Sequence, residues 1–468
     1  MTEVGGRLEL VINGAAGTVT GSRFLLALPN GRGLLIDYGL FQGGKELRER
    51  NQQPPDAETL RTGALLLTHA HLDHSGALPV LGKAGWRGQI FATPASAALC
   101  AIMLPDSGRI QEEDAARDAR HGRQAEPPLY TEDDAVNTAR YLKPRLYAAP
   151  FAPLPGVVAT FFRAGHIPGS AIALAELPAV GGGTRRIAFS GDLGRYGAPI
   201  LPDPDPPPAA DYLVVESTYG DRDHPAQSAE HLLGAALQQE LKHGRPILIP
   251  AFAVGRTQEL LYVLRGLQDA GELPRLPVYV DSPLATGATG VLAGHPEEFD
   301  AEMAKRIRNG SQPLEPHGLT IVRSSEASKK LNAVTGPAII IAGSGMATGG
   351  RILHHLEHHL PDPRTTVLFA GYQGEGTLGR QLLDGAQEVH MYGHAVPVRA
   401  QIMDVQGLSA HADRGEVLRW LKLAPRPPRR LLLVHGEPAA AAALQGRIAQ
   451  ELGWPVSVAA LGQRIPLD

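Results

Sequence analysis

The sequence predicts an α/β protein, and two observations support that prediction. Short apolar runs recur along the chain, and most of them lead through a turn into a segment with helical spacing. In the middle of the chain this order repeats, because the apolar runs 246–250 and 278–281 are each followed by such a segment, and the apolar run 338–342 leads into the glycine-rich residues 343–350. Alternation of this kind is typical of a parallel sheet covered by helices, so we expect a three-layer α/β unit there.

Other elements follow in chain order. Strands are predicted early in the chain, at residues 8–13, 24–27, 34–37, 64–68 and 186–190. The polar region 110–141 is expected to form surface helices, and the proline-rich residues 202–208 a stiff surface connection. The last part returns to strand, helix and strand, at residues 430–434, 439–452 and 456–460.

Composition limits the class of protein. The 468 residues are 43% hydrophobic and 20% charged, which indicates a globular chain of about two or three domains. No run approaches the roughly 18 apolar residues of a membrane-spanning helix, and residues 1–4 lack a signal-peptide pattern, so a cytoplasmic location is expected. Cys100 is the only cysteine, which excludes an intrachain disulfide. The net charge of −4 gives no overall basic footprint, so a polyanion would need a local basic cleft.

Four side chains that can bind a metal follow the apolar run 64–68: His69, His71, Asp73 and His74. His69 and His71 alternate along an extended segment and point the same way, while Asp73 and His74 lie where a helix is expected to begin. One turn could therefore serve two adjacent ions. Imidazole and carboxylate groups suit Zn²⁺, so this order predicts a hydrolytic metalloenzyme rather than a histidine-rich surface loop.

Further candidates lie at strand ends and in a turn. Asp37 ends a predicted strand, where its carboxylate could accept the outer N–H of a ligating histidine. His166 lies in a glycine and proline turn, Asp192 ends the strand 186–190, and His435 follows the strand 430–434. Taken one at a time, each residue is also compatible with a purely structural role.

Together these residues match one family. The ordered set of His69, His71, Asp73 and His74, then His166, then Asp192, resembles the signature of the metallo-β-lactamase superfamily, whose αββα sandwich collects ligands at strand ends. Common β-lactamases place a cysteine among the ligands of the second metal. Cys100 lies too early for that role, so antibiotic hydrolysis is disfavoured.

Segments after Asp192 narrow the resemblance to the β-CASP branch, in which an α/β domain with a mainly parallel sheet interrupts the lactamase fold. The motifs that begin at Glu216, Ser409 and Val434 look like the three additional motifs of that branch, and several intervening segments are similar to RNA-processing members. Members that cleave RNA carry a histidine in the last motif, as this chain does at His435. The resemblance implies a first lactamase part at residues 1–211, a β-CASP domain at 212–390 and a second lactamase part at 391–468.

The resemblance also implies roles and products. His69, His71 and His166 would bind one of two Zn²⁺ ions, Asp73, His74 and His435 would bind the other, and Asp192 would bridge them. Together the ions would activate water for attack on single-stranded RNA. His411 would protonate the leaving 3′-oxygen while Glu216 orients it, giving 3′-hydroxyl and 5′-phosphate ends.

Contacts with RNA are predicted in the inserted domain. The glycine-rich segment 343–350 is expected to touch the RNA backbone, with six candidate residues: Gly343, Ser344, Gly345, Arg256, Arg351 and Arg380. A metal clip at i, i+4 spacing within residues 354–359 is a weaker hypothesis, because no third ligand is evident.

The sequence leaves several alternatives open. Endonuclease and 5′–3′ exonuclease modes are both compatible with the sequence, and a homodimer is expected by analogy alone. The competing hypotheses are a lactamase-fold hydrolase of a small ester, lactone or thioester, and a non-catalytic RNA-binding or scaffold paralogue.

Overall fold

A computed structural model describes residues 7–120, 126–179, 181–405 and 407–467. Residues 1–6, which include the segment without a signal-peptide pattern, lie outside the described residues, as do residues 121–125 of the predicted surface-helix region. Within the described ranges, none of the helices has both the length and the apolar character needed to span a bilayer.

The strands of the described residues are, in chain order, β1 Glu9–Ile12, β2 Arg23–Ala27, β3 Gly33–Tyr38, β4 Ala64–Leu66, β5 Gln89–Ala92, β6 Leu142–Pro144, β7 Phe151–Leu154, β8 Val157–Arg163, β9 Ala171–Pro178, β10 Thr184–Phe189, β11 Tyr212–Glu216, β12 Pro246–Pro250, β13 Val278–Asp281, β14 Leu319–Ile321, β15 Ala338–Ala342, β16 Thr366–Phe369, β17 Glu388–Met391, β18 His394–Pro397, β19 Gln401–Asp404, β20 Arg430–Val434, β21 Val456–Val458 and β22 Arg464–Pro466. The helices are α1 Lys45–Glu49, α2 Ala57–Leu60, α3 Leu72–Ser75, α4 Leu78–Lys83, α5 Pro94–Arg120, α6 Glu132–Ala139, α7 Ala229–Leu241, α8 Arg256–Asp269, α9 Pro283–Ala293, α10 Ala301–Arg308, α11 Ser325–Leu331, α12 Arg351–His359, α13 Leu378–Leu383, α14 Arg414–Lys422 and α15 Pro438–Leu452. Short 3₁₀ turns lie at Arg50–Gln52 and Pro296–Glu298.

The described chain divides into two compact units. Unit 1 comprises Met1–Ala198, Pro202–Asp223 and His411–Asp468, and unit 2 comprises Pro199–Leu201 and His224–Ala410. These limits differ from the predicted ones, because residues 212–223 and 391–410 change sides and residues 199–201 belong to unit 2. The strand β11 belongs to unit 1 since it pairs in parallel with β10 and with β20, and β19 belongs to unit 2 since it pairs with β16.

Unit 1 is a sandwich of two sheets. The first has the strand order β22-β1-β2-β3-β4-β5-β6 and the second β21-β20-β11-β10-β9-β8-β7. Alternate apolar side chains of both sheets, such as Ile12, Ile36, Phe161 and Phe189, form one buried core. Helices α3 and α5 contact the first sheet, and α14 and α15 cover the outer face of the second through residues such as Trp420. This is the predicted αββα arrangement.

Unit 2 is built around a parallel sheet of strand order β14-β13-β15-β12-β16-β19. One face packs against α7 and α8 through residues such as Leu237 and Leu264, and the other packs against α12 through Leu356. The predicted strands 246–250, 278–281 and 338–342 coincide with β12, β13 and β15. Continuous apolar runs form these strands because both faces of the sheet are buried.

Candidate metal centre and catalytic site

The turn that carries His69, His71, Asp73 and His74 lies at the end of β4, where extended backbone leads into α3. His71 is extended and precedes the helix, while Asp73 and His74 lie within it. The turn is held against β3 and β2, because the N–H of Leu40 donates to the carbonyl oxygen of Leu72 at 2.8 Å and Ser22 to that of Asp73 at 2.8 Å. Gly39 permits this approach, since a Cβ atom there would lie 1.6 Å from the Asp73 carbonyl oxygen.

Four side chains, of which all but His71 are buried, converge as the first ligand group, which consists of His69, His71, His166 and Asp192. The Nδ1 atom of His71 lies 3.2 Å from Nε2 of His69 and 3.2 Å from Nε2 of His166. Oδ2 of Asp192 lies 3.5 Å from each of those Nε2 atoms. Ligands about 2.0–2.1 Å from a tetrahedral zinc ion are separated by about 3.3–3.4 Å. These four separations are close to those expected between ligands of one zinc ion.

Three further side chains, Asp73, His74 and His435, form the second ligand group. Nε2 of His435 lies 3.3 Å from Oδ2 of Asp73. Asp192 faces both groups, because its Oδ1 atom lies 3.2 Å from Nε2 of His74 while its Oδ2 atom faces the first group. Within the described residues, no donor makes a well-aligned hydrogen bond to that buried Oδ1 atom. This geometry suits a carboxylate that bridges two cations.

Electrostatics at the two groups favour bound cations. Burial lowers the pKa of His69 well below its ordinary value and also lowers the pKa of His71, which keeps both rings neutral as metal ligands require. Burial opposes ionisation of Asp192, but His435, His74 and the other nearby histidines hold its pKa well below the ordinary value. Burial likewise opposes a charge on His74, yet Asp192 and Asp37 raise its pKa well above 6.5. The negative charge of Asp192 and Asp37 would also attract a metal ion.

Asp37 lies behind the second ligand group. Its Oδ2 atom is 2.8 Å from Nδ1 of His74, and its two oxygens accept hydrogen bonds from the N–H and the hydroxyl of Thr68, each at 2.7 Å. Nε2 of His74 is thereby directed toward Asp192. Asp37 and His435 have φ angles of 56° and 47°, a left-handed backbone that non-glycine residues adopt at a cost and that often occurs at functional sites.

The turn that carries His166 is fixed from two sides. The N–H of His166 donates to the Ser170 hydroxyl at 2.9 Å. The carbonyl oxygen of Gly169 accepts hydrogen bonds from the hydroxyls of Thr93 at 2.6 Å and Ser96 at 2.8 Å. Position 166 is thus set by residues at the start of α5, far away in sequence.

Glu216 and His411 form a pair beside the two ligand groups. Nδ1 of His411 lies 3.1 Å from Oε2 and 3.2 Å from Oε1 of Glu216, and 3.9 Å from Oδ2 of Asp192. The side chain of Glu216 is 1% exposed and that of His411 is 17% exposed. Burial disfavours a charge on His411, but Glu216 and then Asp192 outweigh it and raise its pKa to about 9. The imidazole is therefore protonated at neutral pH.

The predicted RNA contacts all lie in unit 2, whereas the two ligand groups belong to unit 1. Arg256 is 6% exposed and paired with Glu259. Arg351 donates to Oδ1 of Asp281 at 2.5 Å and to the carbonyl oxygen of Arg323 at 2.9 Å. Arg380 is 50% exposed and pairs with Asp384 at 2.9 Å. Of the three arginines, Arg380 is the most accessible.

The glycine-rich segment 343–350 folds back on itself. The Ser344 hydroxyl accepts hydrogen bonds from the N–H groups of Thr348 at 2.9 Å and Gly349 at 3.2 Å, and the carbonyl oxygen of Gly343 accepts one from Ile352 at 3.0 Å. These N–H groups are engaged within the segment. An anion would have to compete for the N–H groups of Thr348 and Gly349, and the backbone contact at Gly343, Ser344 and Gly345 stays a prediction.

The histidine-rich helix α12 lacks the arrangement expected of a metal clip. Nε2 of His355 lies 2.7 Å from Oδ2 of Asp281, and its Nδ1 atom lies 3.1 Å from the Asn332 side-chain oxygen. Among the described residues, neither His355 nor His359 belongs to a group of three converging ligands.

Several hydroxyl residues at the site were not predicted from the sequence. Thr68 binds Asp37, Ser170 binds the backbone of His166, and Thr218 contacts His435. Thr68 and Thr218 lie in the same sequence motifs as His69 and Glu216, so their positions place them near the site. The residues that they contact are distant in sequence. Only the folded arrangement shows which ligand each one touches.

Comparisons with known proteins agree with this geometry. Residues 257–382 match the Beta-Casp domain, and residues 395–459 match the Zn-dependent metallo-hydrolase RNA specificity domain. Ribonuclease TTHA0252 of Thermus thermophilus is 40% identical over 461 residues, which cover 98% of this chain and 100% of that protein. Transcription termination factor FttA of Methanosarcina mazei is 32% identical over 443 residues, covering 92% of this chain and 67% of that protein. The same-named factor of Pyrococcus abyssi is 34% identical over 387 residues, covering 80% and 57%.

Proposed function

Because the chain belongs to the β-CASP ribonuclease family of the metallo-β-lactamase superfamily and is thus a metallo-hydrolase, we propose that it hydrolyses phosphodiester bonds of single-stranded RNA with two zinc ions. The expected products are a 3′-hydroxyl and a 5′-phosphate. Endonuclease and exonuclease modes, a homodimer and a cytoplasmic location stay predictions.

The first ligand group would hold one zinc ion and the second ligand group the other, with Asp192 contributing one oxygen to each. Support comes from the separations of 3.2–3.5 Å within the first group, from the neutral imidazoles of His69 and His71, and from the orientation of the two Asp192 oxygens. When bound, two such ions lower the pKa of a water molecule toward 7 and stabilise negative charge on phosphate oxygens.

The chain itself supplies the proton for the leaving group. As water oxygen bonds to phosphorus and the bond from phosphorus to the 3′-oxygen breaks, that oxygen must be protonated to leave as a hydroxyl. His411 would deliver the proton from Nε2, since its Nδ1 atom faces Glu216. Glu216 is itself oriented by the Leu193 N–H, which donates to Oε1 at 2.6 Å.

The observation that carries the proposal is this Glu216–His411 pair beside the bridging Asp192. A metal centre alone suits several kinds of ester. An acid held in the protonated state next to it suits a substrate whose poor leaving group, a ribose oxygen, needs a proton.

A cleavage assay tests the proposal directly. End-labelled single-stranded RNA would be incubated with the protein plus Zn²⁺, with an EDTA-treated sample, and with Asp192→Asn as a matched variant. A small thioester would be offered in parallel. We expect RNA cleavage with Zn²⁺ only, products that are ligatable at the 3′ end and sensitive to phosphatase at the 5′ end, and little turnover by the variant. Thioester hydrolysis without RNA cleavage across metals and ionic strengths would refute the proposal.

A further inference from the structure

Thr218 lies directly behind a member of the second ligand group. It follows β11 by two residues and is 4% exposed, and its hydroxyl Oγ1 contacts one residue twice. Oγ1 lies 3.1 Å from the carbonyl oxygen of His435 and 3.1 Å from Nδ1 of the same residue. The proposed mechanism uses Glu216, which lies two residues before Thr218, and gives Thr218 no role.

The two contacts favour one arrangement of the hydrogens. A hydroxyl has one hydrogen to donate, and a carbonyl oxygen can only accept. Both contacts are hydrogen bonds only when the Thr218 hydroxyl donates to the His435 carbonyl oxygen and accepts from the ring, and in that arrangement Nδ1 of His435 carries the hydrogen. In the neutral ring Nε2 then has the lone pair, and this is the atom that lies 3.3 Å from Oδ2 of Asp73 in the second ligand group.

The backbone at His435 also depends on this contact. Its φ angle of 47° is unfavourable for a residue with a side chain, so neighbouring groups must hold it. The His435 carbonyl oxygen accepts hydrogen bonds from the Ser217 N–H at 3.1 Å and from Thr218, and the His435 N–H donates to the carbonyl oxygen of Ala15 at 2.7 Å. The Ser217 N–H and the Thr218 hydroxyl therefore hold the main chain of His435, and the Thr218 hydroxyl also contacts its ring.

We propose that Thr218 is a positioning residue that selects the Nε2-ligating tautomer of His435 and so strengthens cation binding at the second ligand group. The inference rests on the two-zinc centre of the proposed function. It concerns metal affinity, so its test needs no RNA. Residues that hydrogen-bond the non-ligating nitrogen of a metal-binding histidine typically contribute about 10- to 100-fold in metal affinity.

The experiment compares Thr218→Val and Thr218→Ala with Thr218→Ser, which keeps the hydroxyl. Ser217→Ala is the matched control, because the Ser217 hydroxyl also donates to a buried carbonyl oxygen, that of Val434 at 2.8 Å, and is the neighbouring residue. Zinc content would be measured by mass spectrometry and the stepwise affinities by competition with a chromophoric chelator. The unfolding midpoint of each variant would be recorded in parallel.

We expect the wild-type protein to bind two zinc ions. Thr218→Val and Thr218→Ala should bind one ion normally and the other about 10- to 100-fold more weakly. Thr218→Ser and Ser217→Ala should retain both affinities within about threefold. Unchanged affinities in Thr218→Val and Thr218→Ala, an equal loss of both ions, or the same loss in Ser217→Ala would each overturn the role of Thr218 while leaving the two-zinc centre intact. A wild-type protein that binds fewer than two ions would overturn the proposed metal centre and this inference with it.

Discussion

Replacement of Glu216 by glutamine should move the pH range in which the protein is active. Glu216 lies 3.1 Å from Nδ1 of His411, and its charge is the largest of the influences that raise the pKa of that imidazole to about 9. A general acid works only while protonated, so activity should be lost as pH rises through this pKa. Removing an opposite charge at this range typically changes a pKa by about 1–3 units, or about 1.4–4 kcal/mol. The alkaline limit of the variant should therefore fall to between about pH 6 and pH 8.

The assay is the pH profile of kcat/KM for RNA cleavage, with zinc content measured at each pH. A variant whose limit lies near pH 7 keeps about one tenth of its His411 protonated at pH 8, so its activity at that pH should fall by about tenfold. Glu58→Gln is the control, because Glu58 is a partly exposed carboxylate that pairs with Arg464 at 3.0 Å, and its profile should match wild type. An unchanged alkaline limit in Glu216→Gln, or a loss of zinc in proportion to the loss of activity, would refute the assigned role.

Three further predictions concern other parts of the molecule. His411→Ala should retain both zinc ions and lose about 10²–10⁴-fold in kcat. A substrate with sulfur in place of the 3′-oxygen should recover much of that loss, because the sulfur leaves without a proton. Equal loss of activity on both substrates would contradict an acid role. Burial lowers the pKa of His359 to about 4, so between about pH 6.5 and pH 4 the unfolded chain binds a proton that the folded chain does not, and stability decreases as pH falls. His359→Leu should remove up to about 1.4 kcal/mol of that decrease per pH unit in denaturant titrations, and an identical pH dependence in the variant would exclude this residue as the cause. Arg380→Ala should make the plot of log binding constant against log salt shallower by about 0.7 if the guanidinium contacts an RNA phosphate, and an unchanged slope would remove Arg380 from the candidate contacts.

Local information in the sequence was enough for the fold class and for much of the site. Continuous apolar runs predicted β12, β13 and β15, because strands buried on both faces have this composition irrespective of their partners. The turn at His69 was recognisable for the same reason, since its ligands are close in sequence. The other ligands could be brought together only through the family resemblance.

Tertiary structure decided which residues contact each other when they are far apart in sequence. Glu216 and His411 are separated by 195 positions, and His435 and Asp73 by 362, so no local pattern could join them. The limit of unit 2 shows the same effect, because β11 has an ordinary strand sequence and belongs to unit 1 only through its pairing with β10 and β20.

By itself the sequence determined which side chains the chain offers for metal chemistry and that most of them lie at strand ends or turns. Only the tertiary structure decided which oxygen of Asp192 faces each ligand group, that Arg256 and Arg351 are engaged by neighbouring groups, and that Thr218 lies against the ring of His435. The physical reason is that ligand type is a property of one residue. Orientation, burial and hydrogen-bond direction depend instead on strands that meet in the sheet from distant parts of the chain.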